Sequence, residues 1–157
     1  MRASRWIGTM VALALAGWVT SAAVVAKKPG EVAGAGAAPY ATGTTFNLVP
    51  VYGLQFGVGA AIAVNGLGTG DLHVTLLGTS VLNEAQVITF DGNVSGLSVI
   101  RGVATLSGTG ILDMGGAGAA IIGVPYTLTT TGNTVLLVLG TTTLPQVTLS
   151  QGTIMIK

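Results

Sequence analysis

The sequence predicts an all-β fold, an antiparallel meander closed as a small β-barrel, preceded by an N-terminal hydrophobic signal helix. Three observations support this prediction. Apolar residues of the body alternate with polar ones, threonine, valine and isoleucine are frequent, and turn signals recur at short intervals. Many short strands with regular turns are also typical of a β-sandwich, which is therefore the alternative architecture.

Residues 1–26 have the three-part layout of a secretory signal peptide. Arg2 and Arg5 form a basic start, an apolar run follows, and the sequence TSAAVVA supplies small residues for cleavage after Ala26 or Ala23. The same uncharged stretch approaches the ~20 apolar residues that a membrane-spanning helix needs, so an uncleaved anchor is the rival interpretation. Either interpretation predicts that the body is secreted or lies in the periplasm or cell envelope.

The segment after the signal peptide has a different composition. Residues 27–43 read KKPGEVAGAGAAPYATG, in which glycine, alanine and proline occur without periodicity. Such a composition is typical of a flexible linker. We therefore expect a linker at 27–43 and one ordered β domain at 44–157.

Within that domain the side chains alternate as strands require. The sequence PYTLTTTG places Tyr126 and Leu128 on one face and Thr127 and Thr129 on the other. Turn signals separate such runs, which gives about eight to ten strands. The signals lie at Asn65-Gly66, Asp91-Gly92-Asn93, Gly132-Asn133 and Leu144-Pro145.

Some strands carry apolar residues on both faces. In TVLLVLG, residues 134–140, the two faces of the strand are equally apolar. Strands of this kind need cover on both sides, from the rest of the domain, another subunit, a lipid or a ligand. Because only 7% of the residues are charged, we also expect self-association into a homo-oligomer.

Composition excludes several classes of protein. Half of the residues are hydrophobic, which excludes a disordered chain. There is no cysteine, so disulfides, thiolate metal sites and cysteine nucleophiles are absent. The formal charge of +1 gives no basic surface for nucleic acid, and it becomes −1 once the leader is removed.

The weak catalytic candidates are Asp71 and His73, since the chain has a single histidine. On a strand both side chains point to the same face, so the carboxylate can orient the imidazole, with Ser80 or another hydroxyl as nucleophile. Spacing alone does not make a triad, and a solvated pair near a turn is the favoured interpretation. Metal ligands are too sparse for a site, so we expect no metal and no cofactor.

Arg101 is the single positive charge between Lys28 and Lys157. We expect it to pair with Asp91 across a hairpin formed by DGNVSGLSVIR, a structural role. A carboxylate-binding role in a barrel mouth is the alternative. The tripeptide Asn93-Val94-Ser95 matches the glycosylation sequon and would suit a turn.

The glycine-rich runs do not predict a nucleotide site. GAGAAI at Gly116 lacks the third glycine of G-x-G-x-x-G, and GAGAAP at Gly34 ends in a proline. Residues 114–124 are also too few for a membrane helix. An outer-membrane barrel is disfavoured because aromatic girdles are missing.

The stretch ITFDGNVSGLSVIRGVATLSGTG resembles a loose group of bacterial secreted proteins with small calycin-type, lipocalin-like meander barrels. The residues from Thr89 to Gly96 carry the resemblance, whereas VPYTLT replaces the GTYTVN of that group. The resemblance implies the fold and supplies no catalytic residue.

These observations lead to three functional hypotheses. The leading one is an exported, non-enzymatic protein of the cell envelope or extracellular space, either structural or binding an apolar small molecule in a hollow barrel. The second is a self-assembling surface-layer or fibre subunit, which requires a filled interior and exposed apolar edges. The third is a barrel-cavity enzyme of the isomerase type, which requires His73 inside a cleft.

Overall fold

A computed structural model describes residues 30–63, 65–116 and 118–157. The predicted signal helix at 1–26 lies outside these residues. The described chain is all-β, as predicted, and has eleven strands. They are β1 (Glu31–Pro39), β2 (Thr45–Phe46), β3 (Val49–Ile62), β4 (Gly68–Thr79), β5 (Ala85–Ile100), β6 (Val103–Asp113), β7 (Ile121–Thr130), β8 (Thr134–Leu139), β9 (Thr142–Thr143), β10 (Val147–Thr148) and β11 (Gln151–Ile156).

The strands form one antiparallel sheet that curls into a half-barrel. Its order is β10-β8-β7-β6-β5-β4-β3-β1-β11, so β3 to β8 are a meander in which each strand pairs with the next. The predicted turns at Asn65-Gly66, Gly132-Asn133 and Leu144-Pro145 lie between strands. The inner face of the sheet carries the hydrophobic core.

The hairpins of a meander turn at alternate ends, which gives the half-barrel two distinct ends. We call the "loop end" the one formed by residues 40–48, 80–84, 114–116, 118–120 and 140–141. We call the "terminal end" the one formed by residues 63, 65–67, 101–102 and 131–133, together with Gly30 and Lys157.

Strand β1 lies inside the segment that the sequence predicts to be a flexible linker. It pairs with β3 along its whole length and with β11 on its other side. The glycines allow β11 to approach closely, because a Cβ on Gly34 would lie 2.7 Å from the Cα of Ile154 and one on Gly36 would lie 2.8 Å from the carbonyl oxygen of Gln151. The small residues that resemble a linker are therefore those that this pairing requires.

Asp91-Gly92-Asn93 is not a turn, contrary to the prediction, but the middle of the 16-residue strand β5. The inner-face position of Gly92 explains the difference. A Cβ there would lie 2.6 Å from Cε1 of Phe90 and 2.8 Å from Cε1 of Tyr126. The glycine thus makes room for two aromatic rings in the core, and it has no turn to form.

Phe90 and Tyr126 fill the centre of the sheet. Their rings meet edge to face, with centroids 5.2 Å apart. On β6, a Cβ at Gly110 would lie 2.6 Å from Phe90, and one at Gly108 would lie 3.0 Å from Tyr126. The two rings therefore lie over a floor of three glycines, and leucine, valine and isoleucine side chains complete a continuous core around them.

We predict that Gly92→Ala lowers the free energy of unfolding by about 1–3 kcal/mol, because the added methyl group overpacks the two rings. The matched control is Gly57→Ala on the outer face, where an added Cβ has nothing within 4 Å. That variant should be as stable as the parent or slightly more so, since alanine loses less backbone entropy than glycine. Urea unfolding followed by circular dichroism measures both, and equal effects of the two substitutions would contradict the packing described.

Candidate functional site

Asp71 and His73 lie on the outer face of β4, where both are exposed. The register places His73 between Gly57 of β3 and Asp91 of β5. Its Nδ1 donates a hydrogen bond to Oδ1 of Asp91 at 2.5 Å. The two side chains are 57% and 67% exposed, so the pair faces open solvent.

The structure does not assemble the triad that the sequence allowed. The histidine's hydrogen-bond partner is Asp91 rather than Asp71, which faces Gly59 and Asn93. Ser80 lies seven residues further along the chain, in the turn after β4, about 23 Å away at the rise of a strand, and its hydroxyl accepts hydrogen bonds from the backbone of that turn. On the β3 side, Gly57 and Gly59 have no side chains that could enclose the histidine, so His73 lies on an open sheet surface and not in a cleft.

Arg101 does not pair with Asp91, contrary to the prediction. It occupies the tip of the β5–β6 hairpin at the terminal end, whereas Asp91 is ten residues earlier on the same strand, about 33 Å away. Among the described residues the ion pairs are His73 with Asp91, and Lys157 with Glu31 at 3.5 Å. Asn93 of the sequon is an exposed outer-face residue of β5 and not part of a turn.

The interior holds two phenols that lack polar partners. The hydroxyl oxygens of Tyr40 and Tyr126 are buried and have no hydrogen bond with any residue that the structure describes. Burial, together with a smaller effect of the Asp71 carboxylate, raises the pKa of Tyr126 to about 12. Burial also raises the pKa of Tyr40 well above its ordinary value. These hydroxyls are therefore neutral at physiological pH.

The most exposed of the large apolar side chains lie at the loop end or at the start of β7 next to it. Leu48, Val81 and Ile122 are 91%, 96% and 81% exposed. Leu82 and Ile121 are exposed beside them. Soluble monomers rarely expose many apolar side chains in one region, so a group of them at one end of a domain indicates an interaction surface.

An open groove of about 350 Å³ lies at this end and is lined in part by Ile121 and Ile122. Phe46, Leu112, Val124 and Leu139 contribute to its apolar lining, and Asn47 lies at its rim. Asn47 accepts a hydrogen bond from Thr142 at 3.2 Å, and its amide donates to the sulfur of Met114 at 3.9 Å. The side chain of Gln86 donates to the carbonyl of Met114 at 2.7 Å. The rim is thus held by side chains from four separate segments.

A β-bulge at Gly123 determines where Ile122 points. The register of β6 with β7 shifts there, since Gly110 pairs with Val124 but Ile111 pairs with Ile122. Gly123 has a φ of +78°, which a glycine adopts without strain. Without the extra residue, alternation would place Ile122 on the inner face, like Val124. With it, Ile122 joins the outer-face residue Ile111.

A second feature of the loop end is strain. The β2–β3 turn consists of Asn47 and Leu48 with φ of +46° and +70°. Two-residue turns with positive φ favour glycine or asparagine at both positions, because a branched side chain crowds the backbone. Leu48 is therefore an unfavourable residue for the fold at one of the most exposed positions of the loop end.

No protein-family model, no curated protein and no solved structure matches the chain. In the described part of the chain no helix has the length and hydropathy needed to cross a membrane. Nor do the described ranges hold a group of three or more histidine, cysteine or acidic residues placed to bind a metal ion.

Sequence reasoning missed the loop-end surface. The available signal was the presence of apolar residues where turns usually carry polar ones, as in TSVLNE and FNLV. The bulge at Gly123 could not be found in this way, because its effect on Ile122 depends on the pairing register with β6.

We predict that Tyr126→Phe leaves the free energy of unfolding unchanged at neutral pH or raises it by up to about 1 kcal/mol, because burial of an unpaired hydroxyl costs about 1–3 kcal/mol. The parent should also lose stability as pH rises from 10 towards 12. The unfolded phenol ionises near 10.0 while the folded one stays protonated up to about 12, so the folded state binds more protons in that window.

Tyr126→Phe should reduce this alkaline loss, leaving the part that the buried Tyr40 contributes, and Tyr52→Phe, on an exposed tyrosine, should leave it unchanged. Urea titrations at several pH values measure both. A clear loss of stability at neutral pH in Tyr126→Phe would show that the hydroxyl has a partner.

Proposed function

We propose that the chain is an exported, non-enzymatic β domain that assembles with a second copy of itself through the loop end. The observation that carries the proposal is the cluster of exposed apolar side chains beside an open apolar groove. Export is inferred from the N-terminal segment 1–26, whose layout is that of a signal peptide.

The packed interior supports assembly over ligand storage. The buried hydrophobic residues between Val32 and Ile154 form one cluster in space. The two central rings occupy the space that a bound ligand would need. The outer-face position of His73 likewise offers no cavity for a barrel enzyme. The groups that remain for a function are therefore those on the surface.

The loop end has the shape that pairing of two identical surfaces requires. Leu48, Val81 and Leu82 are exposed apolar side chains, and the groove at the same end has a mainly apolar lining. In a two-fold interface the projecting side chains of each copy enter the groove of the other, so both sets are covered at once. Each fully buried side chain contributes about 1.5–3 kcal/mol against the cost of association, which favours a dimer of micromolar order.

We also propose that the sheet closes as a small barrel of the calycin type. The sheet order begins with β10 and ends with β11, and two residues separate these strands in the chain. Leu149 donates to the carbonyl of Asn133, and Ser150 donates to that of Ala37, so this connection bridges β1 and the β7–β8 turn. The bridging hydrogen bonds and the meander topology support closure, and the resemblance at Thr89–Gly96 supports the calycin type.

A second candidate function is binding of an apolar small molecule in the same groove. Its volume of about 350 Å³ falls within the range of about 300–1,000 Å³ that ligand pockets occupy. Titration with a fluorescent fatty acid distinguishes the two functions, because Leu48→Gly removes a projecting side chain without changing the groove lining. Assembly predicts that this variant loses self-association, and small-molecule binding predicts that it retains probe affinity.

We predict that Leu48→Gly weakens self-association at least about tenfold, as expected for an exposed leucine that becomes buried. The fold should remain intact or gain stability, since glycine suits the φ of +70°. Light scattering coupled to size exclusion over a concentration series measures the dimer fraction.

The matched control for this measurement is Leu67→Ser, which removes an exposed leucine at the terminal end. It should associate like the parent. A parent chain that stays monomeric at the highest concentration, or equal weakening by both substitutions, would overturn assembly through the loop end.

A further inference from the structure

We infer that two copies join at the loop end by antiparallel pairing of β7 with β7, an inference that rests on the proposed function. The pairing residues are Ile121–Val124, which we call the β7 overhang. Three features of the overhang support this mode of assembly: its missing neighbour strand, the direction of its backbone groups, and the groove beside it.

Strand β7 extends beyond the strand that pairs with it. β8 pairs with β7 from Thr130 to Tyr126, and one further hydrogen bond runs from the N–H of Gly140 to the carbonyl of Pro125 at 2.8 Å. Gly140, with a φ of +59°, then begins the turn into β9, so the chain leaves β7. Among the described residues, the overhang therefore pairs with β6 on one side and with no strand on the other.

The bulge at Gly123 directs the backbone groups of Ile122 to this open side. Along a strand, residues alternate both in the face to which the side chain points and in the side to which N–H and C=O point. The outer-face residues of β7 therefore all direct their backbone groups to one side. Pro125 is such a residue, and its carbonyl accepts from β8. Because the extra residue places Ile122 on the outer face too, its N–H and C=O point to the same side, beyond the end of β8.

The loop-end groove lies along the overhang. Every residue of the overhang contributes to its lining, together with Asn47, Leu139 and Thr141 from other segments. A groove beside an unpaired strand can receive an extended chain, which adds to the sheet through main-chain hydrogen bonds. The described residues that line it are uncharged, which favours an uncharged strand as the occupant.

The overhang of a second copy meets these requirements. Its sequence, IIGV, is uncharged and rich in β-branched residues. It also lacks the lysine or proline that normally protects an unpaired strand from another chain. A two-fold axis at Ile122 pairs Ile122 with its own copy and Ile121 with Gly123, so one contact satisfies the open backbone groups of both copies. A strand from a different protein would satisfy those of one chain only.

This arrangement fixes distances between the two copies. Residues that exchange both hydrogen bonds in an antiparallel pair have Cα atoms about 5.5 Å apart, which applies to the two copies of Ile122. Ile111 is the neighbour of Ile122 on β6 and lies on the same face. Because it is one strand further from the axis in each copy, its two copies are three strand spacings apart, about 14 Å.

The test uses single-cysteine variants of the chain from Lys27 onward, because all eleven described strands lie after that residue and the chain has no cysteine of its own. Ile122→Cys is compared with Ile111→Cys, which also replaces an exposed isoleucine. Under oxidation by diamide, Ile122→Cys should form the disulfide dimer at least about tenfold faster, because a disulfide requires Cα atoms about 4.4–6.8 Å apart. Non-reducing gel electrophoresis over time measures the rates.

Lysine substitutions test the pairing without a covalent bond. Ile122→Lys places two like charges opposite each other at the axis and should weaken self-association at least about tenfold. Ile111→Lys, one strand away, should weaken it much less. Light scattering coupled to size exclusion measures the dimer fraction, and circular dichroism verifies the fold of each variant.

The outcomes separate the strand pairing from the assembly on which it rests. Equal cross-linking of the two cysteine variants, or equal weakening by the two lysine variants, would overturn the strand pairing. Assembly through the loop end would then still stand if the parent dimerises and Leu48→Gly does not. A parent chain that stays monomeric, with no cross-link in Ile122→Cys, would overturn both. Rapid cross-linking of Ile122→Cys with Leu48→Gly associating like the parent would support the strand pairing and overturn the role of Leu48.

Discussion

The packing of Phe90 and Tyr126 against three glycines determines most of what this domain can do. Gly92, Gly108 and Gly110 lack the side chains that would keep the two rings away from the sheet, so the rings occupy its concave face. The centre of the interior is filled as a result, and the buried phenol of Tyr126 has no polar partner in the described chain. A hollow barrel would hold a guest inside, whereas a filled one leaves its surfaces for function.

Both ends of the half-barrel place a disfavoured side chain in a tight turn. Each has a two-residue hairpin turn in the left-handed region, and each places there a side chain that the backbone disfavours, Leu48 at the loop end and Arg101 at the terminal end. A turn selected for stability alone would carry glycine or asparagine at these positions.

The sequence predicts the all-β fold because alternation and turn residues act locally, as in Tyr126–Thr129. The sequence-based prediction is wrong for β1, where the small residue Gly34 allows β11 to approach closely. It is also wrong for the middle of β5, where Gly92 of the Asp-Gly pair makes room for the aromatic rings. The histidine pair shows the same limit, because the partner of His73 is set by the register of β4 with β5 and not by the nearby Asp71. The exposed position of Ile122 depends on a bulge in β7, which is likewise invisible without the neighbouring strand.

The central claim is that the loop end, and not the sheet edge or the interior, is where copies of this domain meet. Hydrogen–deuterium exchange of the chain from Lys27 onward, at dilute and at high protein concentration, tests it most directly. The account predicts that amides of the turns at 80–84 and 118–123 gain protection with concentration, while those of β3 and of the terminal end do not change. Protection that rises instead along β11, or nowhere, would contradict it.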